Sequence, residues 1–195
     1  GSEDLLLSIA ASDGGARIAA RTLARLVLLD TTLSRPLWTT LFASPAAPLA
    51  ISLDGMRIAS AAPDGVQIWD SQGNSVAELF DAGAVESLAF SPDASRLVCG
   101  LTDGRLNVWD LRSRSPHATL SAHGAAVRAI TFTPDGTRAA TASDDRRVLI
   151  WDTQRWQPVL TLQTKHVVAV RFSPDGSTLA GRLADGTIQV WDSRR

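Results

Sequence analysis

The sequence predicts an all-β fold built from five repeats of about 40 residues. Three observations predict it: Trp-Asp pairs recur at near-constant spacing, an aspartate-centred turn keeps step with them, and short segments between turns alternate apolar and polar residues. No stretch shows the 3.6-residue apolar period of a helix of ordinary length. Self-similarity at this period is typical of proteins in which successive units stack on one another.

The aspartates that close the five repeats define the register. They are spaced by 40, 40, 42 and 40 residues, and each follows a tryptophan except in the first repeat, where Leu29 takes its place. The turn aspartates precede them by 16 or 17 residues in every repeat. Two markers holding one register through five copies establish the repeat. The closing aspartates are Asp30, Asp70, Asp110, Asp152 and Asp192, and the turn aspartates are Asp13, Asp54, Asp93, Asp135 and Asp175.

Each repeat is predicted to contain four short antiparallel strands. The first strand, such as residues 127–132, ends at a Ser/Thr-Pro-Asp-Gly turn or a variant of it, where proline presets one dihedral angle and aspartate bonds nearby backbone. A second apolar run and another aspartate-centred turn lead to a third strand, in which residues such as Leu106 and Val108 alternate with polar ones. A weaker fourth segment, such as residues 159–162, lies between repeats.

We expect residues 1–4 to be a tag remnant and linker, and residues 5–195 to form one repeat domain. The first repeat is the least regular, and the last stops after its third strand, Ile188 to Trp191, which leaves that strand as an unpaired edge. Two explanations remain open: the chain is part of a larger assembly of repeats whose other units lie elsewhere in the native chain, or it is an autonomous half that completes itself by pairing with another copy. The repeats lie at about 5–40, 41–80, 81–120, 121–162 and 163–193.

Composition narrows the functional classes. Hydrophobic residues make up 45% of the chain, which is enough for a core, and the formal net charge of -1 argues against nucleic-acid or membrane-surface binding. No apolar run approaches the roughly 20 residues that span a bilayer. The single cysteine, Cys99, excludes an internal disulfide and predicts a reducing, cytoplasmic location. Arginine is abundant and lysine nearly absent, which indicates a GC-rich, bacterial genome.

The sequence predicts no catalytic, cofactor-binding or metal-binding site. No histidine is paired with a serine or cysteine nucleophile, no Cys/His set has zinc-ligand spacing, and no glycine-rich loop joins a strand to a helix. Cys99 is expected to be a buried, inert thiol. Trp38 and Trp156 lie outside the Trp-Asp positions and are expected to pack on the sheet of a repeat. The chain is therefore predicted not to be an enzyme.

Repeats of about 40 residues ending in Trp-Asp resemble the WD-repeat (WD40) family of β-propellers over residues 5–193. The resemblance implies four-stranded blades, each tied by a hydrogen-bonded set of His, Ser/Thr, Asp and Trp. Only the fourth repeat carries the full set; the third has Asp81 and Cys99 in the first two places, and the fifth has Gln163 and Gly181. The full set is His123, Thr141, Asp145 and Trp151.

The resemblance also implies a partner-binding face. In this family the contact positions are the residue before the first strand and the residue before the second turn's aspartate. Most of these positions carry small residues here, and His166 is the histidine that we would test first. The implied contact residues are Ala84, Ala126, His166, Pro63, Thr102, Asp144 and Ala184.

The leading functional hypothesis is a non-enzymatic protein-interaction or scaffold module. The resemblance implies that it is the sensor or regulatory part of a larger cytoplasmic signalling protein, without a cofactor and with a protein or peptide partner. The alternative is a propeller fragment that closes its ring by homo-oligomerisation through its blade edge. The alternative predicts defined oligomers in solution, which the first hypothesis does not require.

Overall fold

The computed structural model describes residues 6–22, 24–33, 35–41, 48–63, 65–80 and 83–193. Four features of the sequence lie outside this part of the chain. They are the expected tag remnant at residues 1–4, the predicted start of the first repeat at Leu5, the aspartate of the second turn in repeat 2, Asp64, and the first residue of the third repeat's set, Asp81. All the regular structure described is β except for one short 3-10 turn, Asp13–Gly15.

The strands form five antiparallel sheets in chain order, which confirms the predicted all-β fold. Four sheets have four strands and the last has three. Blade 1 contains β1 Leu6–Ala11, β2 Arg17–Thr22, β3 Arg25–Asp30 and β4 Arg35–Leu41; blade 2 contains β5 Leu49–Ile51, β6 Arg57–Ala62, β7 Gly65–Asp70 and β8 Ser75–Phe80; blade 3 contains β9 Val85–Phe90, β10 Arg96–Leu101, β11 Arg105–Asp110 and β12 Ser115–Ser121; blade 4 contains β13 Val127–Phe132, β14 Arg138–Ser143, β15 Arg147–Asp152 and β16 Gln157–Gln163; blade 5 contains β17 Val167–Phe172, β18 Thr178–Leu183 and β19 Ile188–Asp192.

The register within the blades repeats in the same way. In each blade the second and third strands pair in the same register. The Trp-Asp tryptophan of the third strand, or Leu29 in blade 1, lies opposite the second residue of the second strand. The turn after each first strand is closed by a side chain as well as by backbone; in blade 4, Thr133 Oγ1 donates to Asp135, and the same Oγ1 accepts from the Arg138 N–H. This side-chain pattern recurs at Ser52, Ser91 and Ser173.

The core lies between neighbouring blades and not inside any one of them. Four clusters of buried apolar residues join blades 1 and 2, 2 and 3, 3 and 4, and 4 and 5. No such cluster joins blades 1 and 5 in the described part of the chain, so the blades form an open, partial β-propeller. A sheet buries both of its faces only when a neighbouring sheet packs on each side. The outer faces of blades 1 and 5 are therefore uncovered among the described residues.

Arginines at the start of the second strands tie each blade to the next. Arg17 donates to the Gly55 carbonyl oxygen at 2.9 Å, Arg57 to that of Ala94 at 2.8 Å, and Arg96 to that of Thr153 at 2.9 Å. Arg138 donates in the same way to Ser193. The corresponding position in blade 5 is Thr178, which has no guanidinium to donate. A charged donor on a carbonyl is a strong hydrogen bond, so these contacts fix the angle between neighbouring blades.

Candidate protein-interaction face

Blade 4 holds the complete hydrogen-bonded set that the sequence implied. The Trp151 indole Nε1 donates to Thr141 Oγ1 at 2.9 Å, and His123 Nε2 lies 2.8 Å from the same oxygen. His123 Nδ1 lies 3.0 Å from Asp145 Oδ2. Because an indole only donates and a carboxylate only accepts, the hydroxyl proton points to Nε2 and the ring proton lies on Nδ1. The set therefore runs in one direction, from Trp151 through Thr141 and His123 to Asp145.

Opposing effects set the pKa of Asp145. Burial raises the pKa of this carboxyl, but the Gly124 N–H at 3.0 Å, the Arg147 guanidinium and His123 lower it to about 2. Burial, the largest effect on the ring, lowers the pKa of His123 below its ordinary 6.5. The histidine is thus a neutral structural link in the folded blade, with its side chain inaccessible to solvent.

Acidification is expected to destabilise blade 4 in two steps. The unfolded chain protonates His123 more readily than the folded chain, so the free energy of unfolding falls once the pH drops below 6.5. A second loss follows as the pH falls from 3.8 towards 2, where Asp145 and other turn aspartates with lowered pKa become protonated. Chemical denaturation at pH 7, 6 and 5 measures the first loss, and at pH 4, 3 and 2 the second.

The control is the exposed His117. We expect His123→Gln to flatten the loss of stability between pH 7 and pH 5, and His117→Gln to leave it as in the parent chain. Equal pH profiles for the two variants would contradict the assignment of a neutral, buried His123 to the folded state.

Blade 3 lacks the hydroxyl at the centre of this set. Cys99 takes the place of Thr141, is fully buried, and has a thiol pKa that burial raises. The Trp109 Nε1 is buried without a hydrogen-bond partner in the described residues. Blade 5 departs further, because Gly181 stands at this position and the Trp191 ring fills the space that a Cβ would take, 2.7 Å away. The full burial of the Cys99 thiol suits the inert core group that the sequence predicts.

Restoring the hydroxyl in blade 3 is expected to stabilise the chain. Cys99→Thr gives the Trp109 Nε1 an acceptor, which is worth about 1 kcal/mol for a buried hydrogen bond. Cys99→Val adds similar volume without an acceptor and serves as the matched control. Urea denaturation of both variants measures the difference; a Val variant as stable as the Thr variant would show that volume, not hydrogen bonding, is limiting.

The implied contact residues come together at one end of the blades, here called the upper face: the end at which the first strands begin. Backbone hydrogen bonds pair them within blades, from Thr102 N–H to Ala84 O at 2.9 Å, from Asp144 N–H to Ala126 O at 3.0 Å, and from Ala184 N–H to His166 O at 2.8 Å. Pro63 is exposed directly after β6 in blade 2. The alanines and Thr102 offer little side chain, so the upper face is dominated by its charged members.

A chain of contacts between charged and ionisable side chains crosses the upper face over three blades. His166 Nε2 of blade 5 lies 2.7 Å from Asp144 Oδ1 of blade 4. The other oxygen of Asp144 accepts from Arg128 Nε at 2.8 Å and Nη2 at 2.6 Å, and Arg128 Nη1 donates to Glu86 of blade 3 at 2.9 Å. Hydrogen bonding from Arg128 is the main reason why the pKa of Asp144 is lowered. Sequence reasoning singled out Asp144 and His166 but missed Arg128 and Glu86.

The fifth blade is one residue shorter than the fourth in the loop before its first strand. The Thr164 N–H donates to the Arg146 carbonyl oxygen at 3.0 Å, just as the His123 N–H donates to that of Gly104. Thr164 therefore occupies the place of His123, and the assignment of Gln163 to it from its spacing was wrong. Gln163 lies in β16 opposite Arg147.

Trp156 and Trp38 pack as expected, but more deeply than their positions suggest. Trp156 is 4% exposed and belongs to the cluster between blades 3 and 4, where its ring meets Phe132 edge to face. Trp38 packs on Trp69 between blades 1 and 2, with ring centroids 6.4 Å apart. Among the described residues no group of three or more His, Cys, Asp or Glu side chains is placed to hold a metal ion.

Comparisons with known proteins agree with this architecture. A family model described as "Vps8 beta-propeller" matches residues 66–154, and one described as "WD domain, G-beta repeat" matches residues 156–192. The chain is also similar to Transducin beta-like protein 3 of Rattus norvegicus and of Mus musculus, 33% identical over 95 residues in each case. The aligned segment is 46% of this chain and spans 12% of each relative. Both relatives are mammalian, so they do not support the bacterial origin that the composition suggested.

No helix in the described ranges has the length and apolar character needed to cross a bilayer.

Proposed function

We propose that this chain is a WD-repeat interaction module that binds a protein or peptide partner on its upper face, without catalysing a reaction. The observation that carries the proposal is the chain of contacts from Glu86 through Arg128 and Asp144 to His166, which joins three blades and includes two positions, Asp144 and His166, that the family resemblance implies. Matches to WD-repeat and β-propeller families, whose members act as binding platforms, support the same reading.

The rigid framework beneath this face suits a platform. The first strands of blades 3, 4 and 5 pack in sequence, and the Arg96 and Arg138 contacts hold the blade angles. Glu86, Arg128 and Asp144 are partly exposed, with side-chain exposures of 33%, 39% and 24%, so a partner can reach them.

We further propose that the module regulates a larger cytoplasmic signalling protein; the single buried cysteine suits a reducing compartment.

A selection from a random peptide display library tests the proposal. Peptides that bind the chain are expected to lose at least fivefold in affinity for His166→Ala, measured by calorimetry. Gln154→Ala, on an exposed turn at the opposite end of the blades, is the matched control and should leave the affinity unchanged. Selected peptides that bind the His166→Ala variant with parental affinity would contradict binding at the upper face.

Self-assembly is a second candidate function, favoured by the outer face and edge of blade 5. Ile188 and Val190 are 71% and 61% exposed, whereas the equivalent pair in each preceding blade is at most 2% exposed. These equivalents are Leu26 and Leu28, Val66 and Ile68, Leu106 and Val108, and Val148 and Ile150. On its outer side β19 has no described neighbouring strand, because the described part of blade 5 has three strands.

Light scattering on a sizing column across a dilution series tests self-assembly. A discrete dimer or larger ring is expected, reverting to monomer in the double variant Ile188→Ser, Val190→Ser. Val159→Ser, another exposed apolar residue, is the control that should not alter the mass. A monomer at every concentration would contradict this second candidate and leave the binding proposal untouched.

A further inference from the structure

We propose that the upper face contains an anion pocket between blades 4 and 5, which binds an acidic or phosphorylated side chain of a peptide partner. The inference rests on the proposed binding function and specifies its ligand chemistry. The pocket is open, measures about 460 Å³, and is lined by Asp144, Arg146, Thr164, Lys165 and His166.

The lining is cationic once its internal pairs are taken into account. Asp144 is the one carboxylate in the lining, and it is already held by Arg128, with His166 at 2.7 Å from its second oxygen. The Arg146 guanidinium forms no ion pair with any described carboxylate. Lys165 lies 3.9 Å from Asp185, and both side chains are mostly exposed, so this pair is weak and easily exchanged for a ligand.

The turn that carries Arg146 differs from the equivalent turns of the neighbouring blades. Arg146 has a φ of 64°, in the left-handed region that side chains rarely adopt. The corresponding turn positions in blades 3 and 5 are glycines, Gly104 and Gly186, with φ of 88° and 86°. Blade 4 therefore carries a long cationic side chain where the same turn elsewhere carries none, and its position lies at the mouth of the pocket.

Backbone contacts hold the pocket walls in place without using the cationic groups. The Thr164 N–H donates to the Arg146 carbonyl oxygen at 3.0 Å, and the Ala184 N–H donates to that of His166 at 2.8 Å. Thr164 Oγ1 reaches Gln189 at 3.2 Å, which fixes the turn that presents Lys165. These contacts fix the two loops that carry the Arg146 guanidinium and the Lys165 ammonium. Two cationic donors on neighbouring loops suit an oxyanion with several acceptor oxygens.

Three substitutions test the contributions of Arg146, Lys165 and Asp185 to anion binding. Arg146→Gly removes the guanidinium and restores the residue that blades 3 and 5 carry at this φ, so it should not lower the melting temperature. Lys165→Gln removes the second cation at a highly exposed position. Asp185→Asn removes the carboxylate that competes for Lys165 and is expected to strengthen anion binding about twofold to threefold.

Calorimetry with a short phosphoserine peptide, its unphosphorylated form, a glutamate-substituted form and inorganic phosphate tests the inference. We expect the phosphoserine peptide to bind at least tenfold more tightly than the unphosphorylated one, and Arg146→Gly to remove that advantage. Binding of the glutamate form would assign the site to acidic side chains in general; binding of the phosphoserine form alone would assign it to phosphate. Either result supports the anion pocket.

Four results would overturn the anion pocket. Equal binding of charged and uncharged peptides, parental affinity for the phosphoserine peptide in Arg146→Gly, or tighter binding of an oligoribonucleotide than of every peptide in the same calorimetry would each exclude an acidic-peptide pocket. Library-selected peptides that still require His166 but carry no acidic residue would overturn the anion pocket alone. The proposed function fails separately, when selected peptides do not depend on the upper face at all.

Discussion

Trp151→Ala is expected to lower the free energy of unfolding by about 3–5 kcal/mol, the range for truncation of a core aromatic. The Trp151 side chain is 3% exposed in the cluster between blades 3 and 4, and its Nε1 donates to Thr141. The variant leaves a cavity and removes one of the two partners of a buried hydroxyl, so both packing and hydrogen bonding are lost. Urea denaturation followed by fluorescence or circular dichroism measures the change.

Trp156→Ala is the matched comparison for Trp151→Ala. Its side chain is as buried, at 4% exposure, and lies in the same cluster. Its Nε1 has no hydrogen-bond partner in the described residues, so truncation removes packing and no hydrogen bond. We expect a clearly smaller loss than for Trp151→Ala; equal losses would mean that the link from Trp151 to Thr141 contributes nothing.

Gly104→Ala is expected to cost about 3 kcal/mol or more, and Gly186→Ala only about 1–2 kcal/mol. Both glycines sit at the same turn position, with φ of 88° and 86°. A Cβ on Gly104 would lie 2.8 Å from the His123 carbonyl carbon and closer still to its oxygen, whereas a Cβ on Gly186 meets nothing within 4 Å.

Comparison of Gly104→Ala with Gly186→Ala therefore separates two causes of lost stability that usually occur together. Gly186→Ala reports the cost of the left-handed backbone, and the excess in Gly104→Ala reports the collision with the blade that follows. Thermal and urea denaturation of both variants measure the two terms. Similar costs in the two variants would contradict the close approach of the blade 3 turn to His123, and with it the described angle between blades 3 and 4.

Local chemistry explains why the sequence predicted the blades so closely. The turns are set by residues within five positions of one another, such as Thr133, Asp135 and Arg138, and the third strands alternate within a few residues. The set of His123, Thr141, Asp145 and Trp151 was implied by the family resemblance and could be placed by its spacing from the tryptophan, because it lies within one repeat. These features depend on sequence-local geometry, which a repeat pattern displays directly.

Contacts between blades were harder to predict from sequence. Arg57 reaches Ala94 and Arg96 reaches Thr153, so each donor and its acceptor lie in different repeats. Their signal was present as an arginine that recurs at the start of the second strand. The meeting of Arg128, Asp144 and His166 carried no such signal, because it depends on the angle between blades and on one shortened loop.

Amide chemical-shift mapping is the most direct test of the account as a whole. The chain is labelled with ¹⁵N and titrated with a peptide selected for binding, and its assigned amide signals are followed. The account predicts shifts concentrated at the upper face, at residues 84–86, 102–104, 126–128, 144–146, 164–166 and 184–186. Shifts concentrated instead at the turns of the opposite end, such as 91–95 and 133–137, or along β19, would contradict it.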